Sequence, residues 1–247
     1  MIAKTIQQDL YGKSFEEVAI SRIKQYEPPE GYYLAFSGGK DSIVIYDLAL
    51  RAGVKFDAHF HRTTVDPPEV LKYIKEYYPD VIWEKPKMSM FQLIIKNKIP
   101  PLRTIRYCCR SLKEIGGRGR DIITGIRWAE SVNRRNRSMY EESRHIKGKY
   151  FLNPIIDWSD KDVWDYIHIH NLKYCTLYDV GKTRIGCIMC PMQGPKGMRI
   201  DAERYPKFYR AYLRTFEKML DKLRAEGNVF AHGSTAEEVM NWWINSH

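Results

Sequence analysis

The apolar positions along this chain change period several times, and each change marks a new element. Ser14 with Glu17 three residues on forms a capping-box pattern, and Phe15, Val18, Ala19, Ile23 and Tyr26 then share one helical face, which predicts a leading helix ending near Pro28. Tyr32 to Phe36 is a short apolar and aromatic run closed by Ser37-Gly38-Gly39 and reads as a strand. Ile43 to Leu50 predicts a helix stopped at Gly53, after which Val54, Phe56, Ala58 and Phe60 alternate with Lys55, Asp57 and His59 as a second strand. Pro67 and Pro68 start a helix through Tyr78, Val81 to Trp83 is a third strand, Phe91 to Ile95 is helical, and Asp121 to Ile126 is a further strand. Behind Ser159, the acidic start Asp160 and Asp162 leads into Val163, Trp164 and Ile167 on another helix. Strands and helices keep alternating, so the expected class is α/β, with a parallel sheet covered on both faces. Val180 to Met198, rich in Gly and Pro, predicts a loop held by something other than a core. Helices return at Tyr205 to Leu223 and, behind a Ser234-Thr235 cap, at a segment ending in Trp242 and Trp243. The expected organisation is a leading helix over 1–30, one domain over 31–200 and a helical tail over 201–247.

Composition narrows the class. The chain has 247 residues, 44% of them apolar, which is too many for a disordered segment, and no run approaches the roughly 20 apolar residues of a membrane helix. Lys4, Gln7, Gln8 and Asp9 interrupt Met1 to Leu10, so a secretory signal is not expected and a cytoplasmic protein is. The net charge of +10 is unevenly placed: residues 103–149 carry 13 basic and 5 acidic side chains, and the rest of the chain is nearly balanced. Such a segment is either a solvated basic face or a patch for phosphates of a nucleotide or polynucleotide, with Arg134, Arg135, Arg137 and Arg144 as its candidate nucleic-acid contacts.

The strongest local signal is the strand Tyr32 to Phe36 running into Ser37-Gly38-Gly39-Lys40-Asp41-Ser42 and then a helix. Two glycines let the backbone come close to an anion, the helix N-terminus directs N–H groups and partial positive charge at it, and Lys40 and the serines add donors. That arrangement suits a pyrophosphate. The spacing is neither the Walker loop nor the dinucleotide Gly-x-Gly-x-x-Gly. A plain tight strand-to-helix turn is the competing reading, and the Lys, Ser and Asp in this order weigh against it.

The five cysteines, at 108, 109, 175, 187 and 190, are odd in number and few for a disulfide framework, so a reducing compartment with metal or redox chemistry fits better. Cys187 and Cys190 form a Cys-x-x-Cys, a spacing that zinc, iron–sulfur and redox sites all use, and Cys108 and Cys109 form a tandem pair, which is uncommon in zinc sites. Cys175 reads as an ordinary buried residue.

Ser37 to Ser42 matches the Ser-Gly-Gly-x-Asp-Ser signature of the PP-loop ATP pyrophosphatase superfamily. Further segments resemble its phosphoadenosine phosphosulfate (PAPS) reductase family: Arg106-Tyr107-Cys108-Cys109 with Lys113, Gly125-Ile126-Arg127 with Glu130-Ser131, Asn153-Pro154-Ile155, Asp157-Trp158-Ser159, Asp162-Val163-Trp164, and Leu177-Tyr178-Asp179 through Arg184-Ile185-Gly186-Cys187. The resemblance implies an adenine nucleotide alpha hydrolase-like sandwich with the nucleotide at the carboxyl ends of the strands. By the same resemblance Ser37, Gly38, Gly39, Lys40, Asp41 and Ser42 hold phosphates, and Gly125 and Arg127 line the cleft. Lys40, Asp41 and Arg127 are the expected catalytic set, with Arg127 donating to phosphate or sulfate oxygens. Cys108, Cys109, Cys187 and Cys190 look like the [4Fe-4S] ligand set of adenosine phosphosulfate (APS) reductases, with Zn²⁺ as the competitor. The chain departs from the family after the second strand, where His59-Phe60-His61-Arg62-Thr63 stands in place of Asp-Thr-Gly, and the two histidines are expected to be partly exposed strand residues. It also lacks a cysteine after Cys190, where sulfonucleotide reductases carry their nucleophile.

An intact loop signature without that nucleophile implies ATP chemistry. A substrate would be adenylated with Mg²⁺-ATP, pyrophosphate would leave, and sulfur transfer would follow, with a nucleic acid as a candidate acceptor and a protein as a candidate sulfur donor. The alternatives are an APS or PAPS reductase that takes its nucleophile from elsewhere, and a non-catalytic nucleotide or nucleic-acid binding module.

Overall fold

The computed structural model describes residue 12, residues 14–143 and residues 147–246. Arg144 and the Met1 to Leu10 segment lie outside the described residues. The elements run α1 (Phe15–Gln25), β1 (Tyr32–Phe36), α2 (Lys40–Ala52), β2 (Phe56–His61), α3 (Pro68–Tyr77), β3 (Ile82–Glu84), α4 (Met90–Asn97), α5 (Tyr107–Leu112), β4 (Ile122–Ile123), β5 (Tyr140–Glu142), β6 (Tyr150–Leu152), α6 (Asp160–Ile169), α7 (Gly194–Arg204), α8 (Pro206–Ala225) and α9 (Ala236–Asn245). No described helix is long and apolar enough to cross a membrane.

The strands form a sheet in the order β3-β2-β1-β4-β6-β5. β1 pairs in parallel with β2, Tyr32 opposite Phe56, and with β4, Tyr33 opposite Ile122; β4 and β6 are also parallel. The α/β class and the parallel core of the sheet are as expected. Because β2 and β4 lie on opposite sides of β1, the chain order reverses at β1, and a crevice opens beyond its carboxyl end, where open α/β sheets place ligands. Residues 37–42 occupy that position.

The differences from the sequence reading have local causes. β5 runs antiparallel to β6, Tyr140 opposite Leu152, because the return from Glu142 to Tyr150 is too short for the crossover that a parallel pair requires. The fourth strand pairs over two residues only, and α5 is a single short helix that periodicity does not reveal. The second half of the expected 180–198 loop is helical: Pro195 sits in the first turn of α7, where its missing N–H costs nothing.

The chain divides into two compact units. The first comprises 1–60, 69–83 and 117–185 and contains a core of Leu34, Ile43, Ile45, Leu48, Ile74, Ile123, Leu152 and Val163, all with essentially no exposure. The second comprises 61–68, 84–116 and 186–247, so residues 201–247 share a unit with two earlier stretches of chain. Its core is built on α8, where Tyr212, Phe216, Met219, Leu220 and Leu223 recur at helical spacing on the buried face. Tyr212 and Phe216 pack on Trp243 of α9, with ring centroids 4.9 and 5.5 Å away, and the Trp243 indole N–H donates to the Pro101 carbonyl at 2.7 Å.

Trp243→Ala removes the largest fully buried side chain of that core and leaves the Pro101 carbonyl unpaired. It should cost about 3–5 kcal/mol, measured by urea unfolding.

Candidate nucleotide loop and cysteine cluster

In the first unit, β1 delivers the chain into residues 37–42, and Gly38 takes φ 71°, a left-handed conformation that disfavours any side chain. The Ser37 hydroxyl donates to Ser42 Oγ at 3.1 Å and accepts the Gly39 N–H at 3.3 Å, while the Ser42 hydroxyl donates to the Gly39 carbonyl at 2.8 Å. These bonds fix the loop as it enters α2. Gly125, just beyond β4, permits the second wall to approach: a Cβ there would stand 2.9 Å from Asp41 Cβ, below any normal contact. Gly125 and Asp41 are thus brought together.

The Lys40 side chain is buried, and its ammonium sits 3.4 Å from Asp41 Oδ2 and 3.3 Å from Asp160 Oδ1. Arg127 is wholly buried beside it. Its Nε donates to Asp41 Oδ1 at 2.7 Å, its Nη2 to Asp160 Oδ1 at 2.6 Å and its Nη1 to the Trp158 carbonyl at 3.1 Å. Arg127 therefore meets the protein's own carboxylates, and it acts on the loop by holding Asp41 and Asp160. Asp160 is largely exposed; its partial desolvation would raise its pKa, and the Arg127 hydrogen bond and the Lys40 charge overcome that and hold the carboxyl below its ordinary range. In the sequence, Asp160 reads only as an acidic helix start. Nothing in its spacing distinguishes it from Asp162, which bonds to Ser159 in the helix cap.

The basic run resolves into paired and unpaired members. Arg134 is ion-paired with Glu130 and Arg137 with Glu141, both four residues away. Arg135 is exposed and lines a hollow of about 440 Å³ with Trp128 and Ala129. His59, expected to be partly exposed, is buried: its ring stacks on Tyr33 with centroids 4.0 Å apart and bonds Asp57, which Arg120 clasps at 2.7 and 2.5 Å. Trp158 is buried, and Cys175 is a buried residue, as expected.

The second unit holds all four paired cysteines. α5 carries Cys108 and Cys109, and a turn closed by the Cys190 N–H to the Cys187 carbonyl, 3.2 Å, carries the other two. That turn is pinned on both sides. The Ile188 N–H reaches the Val65 carbonyl at 2.8 Å, and the Met189 N–H reaches buried Asp201 at 2.9 Å. The Cys187 thiol lies 3.4 Å from the Thr63 hydroxyl, which in turn donates to Asp66 at 2.7 Å. Thr63, Asp66 and Asp201 had no signal in the sequence, because each acts on a cysteine segment remote in the chain or separated from it by a helix turn.

The thiols are electrostatically coupled. The hydrogen bond between the tandem cysteines favours a thiolate on Cys109 and a thiol on Cys108; Arg106, 3.4 Å from Cys109 Sγ, and Lys113 add to the Cys109 preference. Lys113 is held charged chiefly by Cys187, then by Asp66, Cys109 and Cys190. Among the described residues, no three His, Cys, Asp or Glu side chains gather closely enough to hold one metal ion. The donor set nonetheless suits an iron–sulfur group in kind: four soft thiols with cationic neighbours that favour their ionised form.

A family profile described as the phosphoadenosine phosphosulfate reductase domain matches residues 31–193. The chain belongs to this family. An uncharacterized protein of Methanocaldococcus jannaschii is 31% identical over 232 residues, which are 85% of this chain and 46% of that protein. An adenosine 5'-phosphosulfate reductase of Staphylococcus haemolyticus is 29% identical over 170 residues, 62% of this chain and 68% of that one. The chain spans about half the length of the Methanocaldococcus relatives it matches. Among solved structures, the phosphoadenylyl-sulfate reductase of Candida auris in complex with phosphate aligns with a TM-score of 0.53 at 18% identity, covering 74% of this chain and 97% of that one. Likeness at that identity shows the fold, which is the adenine nucleotide alpha hydrolase-like α/β sandwich expected for the PAPS reductase family.

Replacing Arg127 with Met removes its hydrogen bonds to Asp41, Asp160 and the Trp158 carbonyl while Lys40 still faces both carboxylates, and should destabilise the protein by about 1–3 kcal/mol in chemical unfolding. Because the folded-state pKa of Asp160 is depressed, the stability it contributes is present at neutral pH and is lost as pH falls through that pKa. Unfolding midpoints of the wild type and Asp160→Asn should therefore differ at pH 7 and converge as the pH is lowered through that pKa.

Proposed function

We propose that the chain binds an adenine nucleotide on residues 37–42 and uses Mg²⁺-ATP to adenylate a substrate in sulfur transfer, releasing pyrophosphate. The observation that supports this most is the setting of Lys40, an ammonium at the start of a helix, beside a glycine loop, bracketed by two carboxylates that hold it in place. A substrate oxygen attacks the α-phosphorus, the bond from that phosphorus to the bridging oxygen breaks, and negative charge builds on the departing pyrophosphate. Lys40, the backbone donors of residues 37–42 and the α2 N-terminus stabilise that charge without reorganising. Ser37 and Ser42 keep the loop in its binding shape. Arg127 positions Asp41 and Asp160, and Gly125 admits the chain close to Asp41. A nucleic-acid acceptor would meet Arg135 before Arg134 or Arg137, whose charges are already paired.

Cys108, Cys109, Cys187 and Cys190 would hold a [4Fe-4S] cluster, which supplies one-electron or structural chemistry when bound. Arg106 and Lys113 favour the thiolates it needs.

A second reading, a sulfonucleotide reductase-like enzyme acting with an external nucleophile, is favoured by the APS reductase among the relatives.

With Mg²⁺ and ATP, the protein should release pyrophosphate and form AMP, and Lys40→Ala should lower that rate about 10²- to 10³-fold. Thioredoxin-dependent sulfite release from APS or PAPS without ATP would establish the second reading instead. Anaerobic purification followed by metal analysis should return about four irons per chain with matching sulfide. One zinc and no sulfide would refute the cluster.

A further inference from the structure

The helix that follows the nucleotide loop begins on a glycine, and Gly39 has no side chain with which to cap it. The cap comes from 138 residues downstream: the Lys40 N–H, at the first position of α2, donates to Tyr178 Oη at 2.8 Å. This hydroxyl overlies the bare Cα of Gly39, where a Cβ would stand 3.5 Å from Oη. It is therefore at the anion-binding end of the loop, inside the same unit.

Tyr178 is held firmly there. Its ring is edge-on to Trp164, with centroids 5.1 Å apart and planes at 89°, and it packs against Tyr174 at 6.3 Å. Buried Cys175 and Leu177 anchor its segment, and the Tyr178 N–H to the Cys175 carbonyl and the Gly181 N–H to the Tyr178 carbonyl, both 3.1 Å, close the turn around it. Burial keeps the phenol protonated, raising its pKa above the ordinary tyrosine value. A phenol oxygen that accepts one hydrogen bond still carries a proton to donate, and accepting strengthens it as a donor. Among the described residues, the Tyr178 hydroxyl accepts from Lys40 and donates to no acceptor.

We propose that Tyr178 is a substrate-binding residue, whose hydroxyl, fixed by the Lys40 N–H, donates its proton to an oxygen of the phosphate chain held by residues 37–42. This rests on the reading of that loop as a nucleotide site. The residue extends the helix N-terminus by one donor, relaying the Lys40 N–H as an O–H beside Gly39. The ring between Trp164 and Tyr174 fixes where that donor stands, so it selects ligands that place an anionic oxygen there.

The test is calorimetric titration of the intact chain with inorganic pyrophosphate. Tyr178→Phe, which keeps the ring and loses the hydroxyl, should bind about 10- to 100-fold more weakly than the wild type, the range for one hydrogen bond to a charged acceptor. Equal or tighter binding by Tyr178→Phe, with the wild type binding, overturns the proposal and leaves the nucleotide loop standing. No binding of pyrophosphate or ATP by the wild type overturns both. A difluorotyrosine introduced at position 178, assayed at a pH where it remains protonated, is a stronger donor of nearly the same shape and should bind pyrophosphate more tightly than the wild type. A packing role would leave affinity unmoved by fluorination, and that result also overturns the proposal; this measurement decides the matter if Tyr178→Phe does not fold.

Discussion

A guanidinium with no access to water must commit its donors to the protein, and Arg127 does so by joining three remote stretches of chain. It reaches Asp41 at the start of α2, Asp160 at the start of α6 and the Trp158 carbonyl just before it. A buried charge of this kind is costly to leave unpaired, so the partners are held in place as firmly as the cation itself. Lys40 shares both carboxylates, and two cations and two carboxylates balance beneath the loop. The loop's shape thus depends on an interaction that contacts none of its glycines.

Charge balance also sets the side chains of the loop apart from its backbone. The side-chain charges neutralise one another, whereas the α2 N-terminus has no side-chain cap of its own, since Gly39 has no side-chain oxygen. A helix start on glycine keeps the backbone donors there available to whatever approaches, and Tyr178 is the protein group that does.

The second unit meets a different constraint. Its cysteines lie on a short helix and on a turn, neither of which is stable alone, and both are fastened by neighbours: Val65, Thr63 and Asp201 to the turn, and the α8 and α9 core to the rest. Segments 61–68 and 84–116 join the C-terminal helices in one unit because those helices expose an apolar stripe that must be covered. The coupling of the tandem thiols follows from this placement, since Arg106 and Lys113 stand beside them on or next to the same short helix.

What the sequence determined is what local physics can encode. The strand at Tyr32–Phe36, the glycine loop, the capping boxes at Ser14, Ser159 and Thr235 and the stripe of α8 all follow from neighbours within a few residues, and the order of motifs carried the family and the α/β class. The tertiary structure alone decided which far-apart residues meet. It buried Arg127 against Asp41 and Asp160, brought Tyr178 to the start of α2, paired Arg134 and Arg137, buried His59, and divided the chain into units that follow no linker. None of this has a local signature, because an Asp that caps a helix and an Asp that anchors a buried arginine look alike until the chain brings their partners within 3 Å.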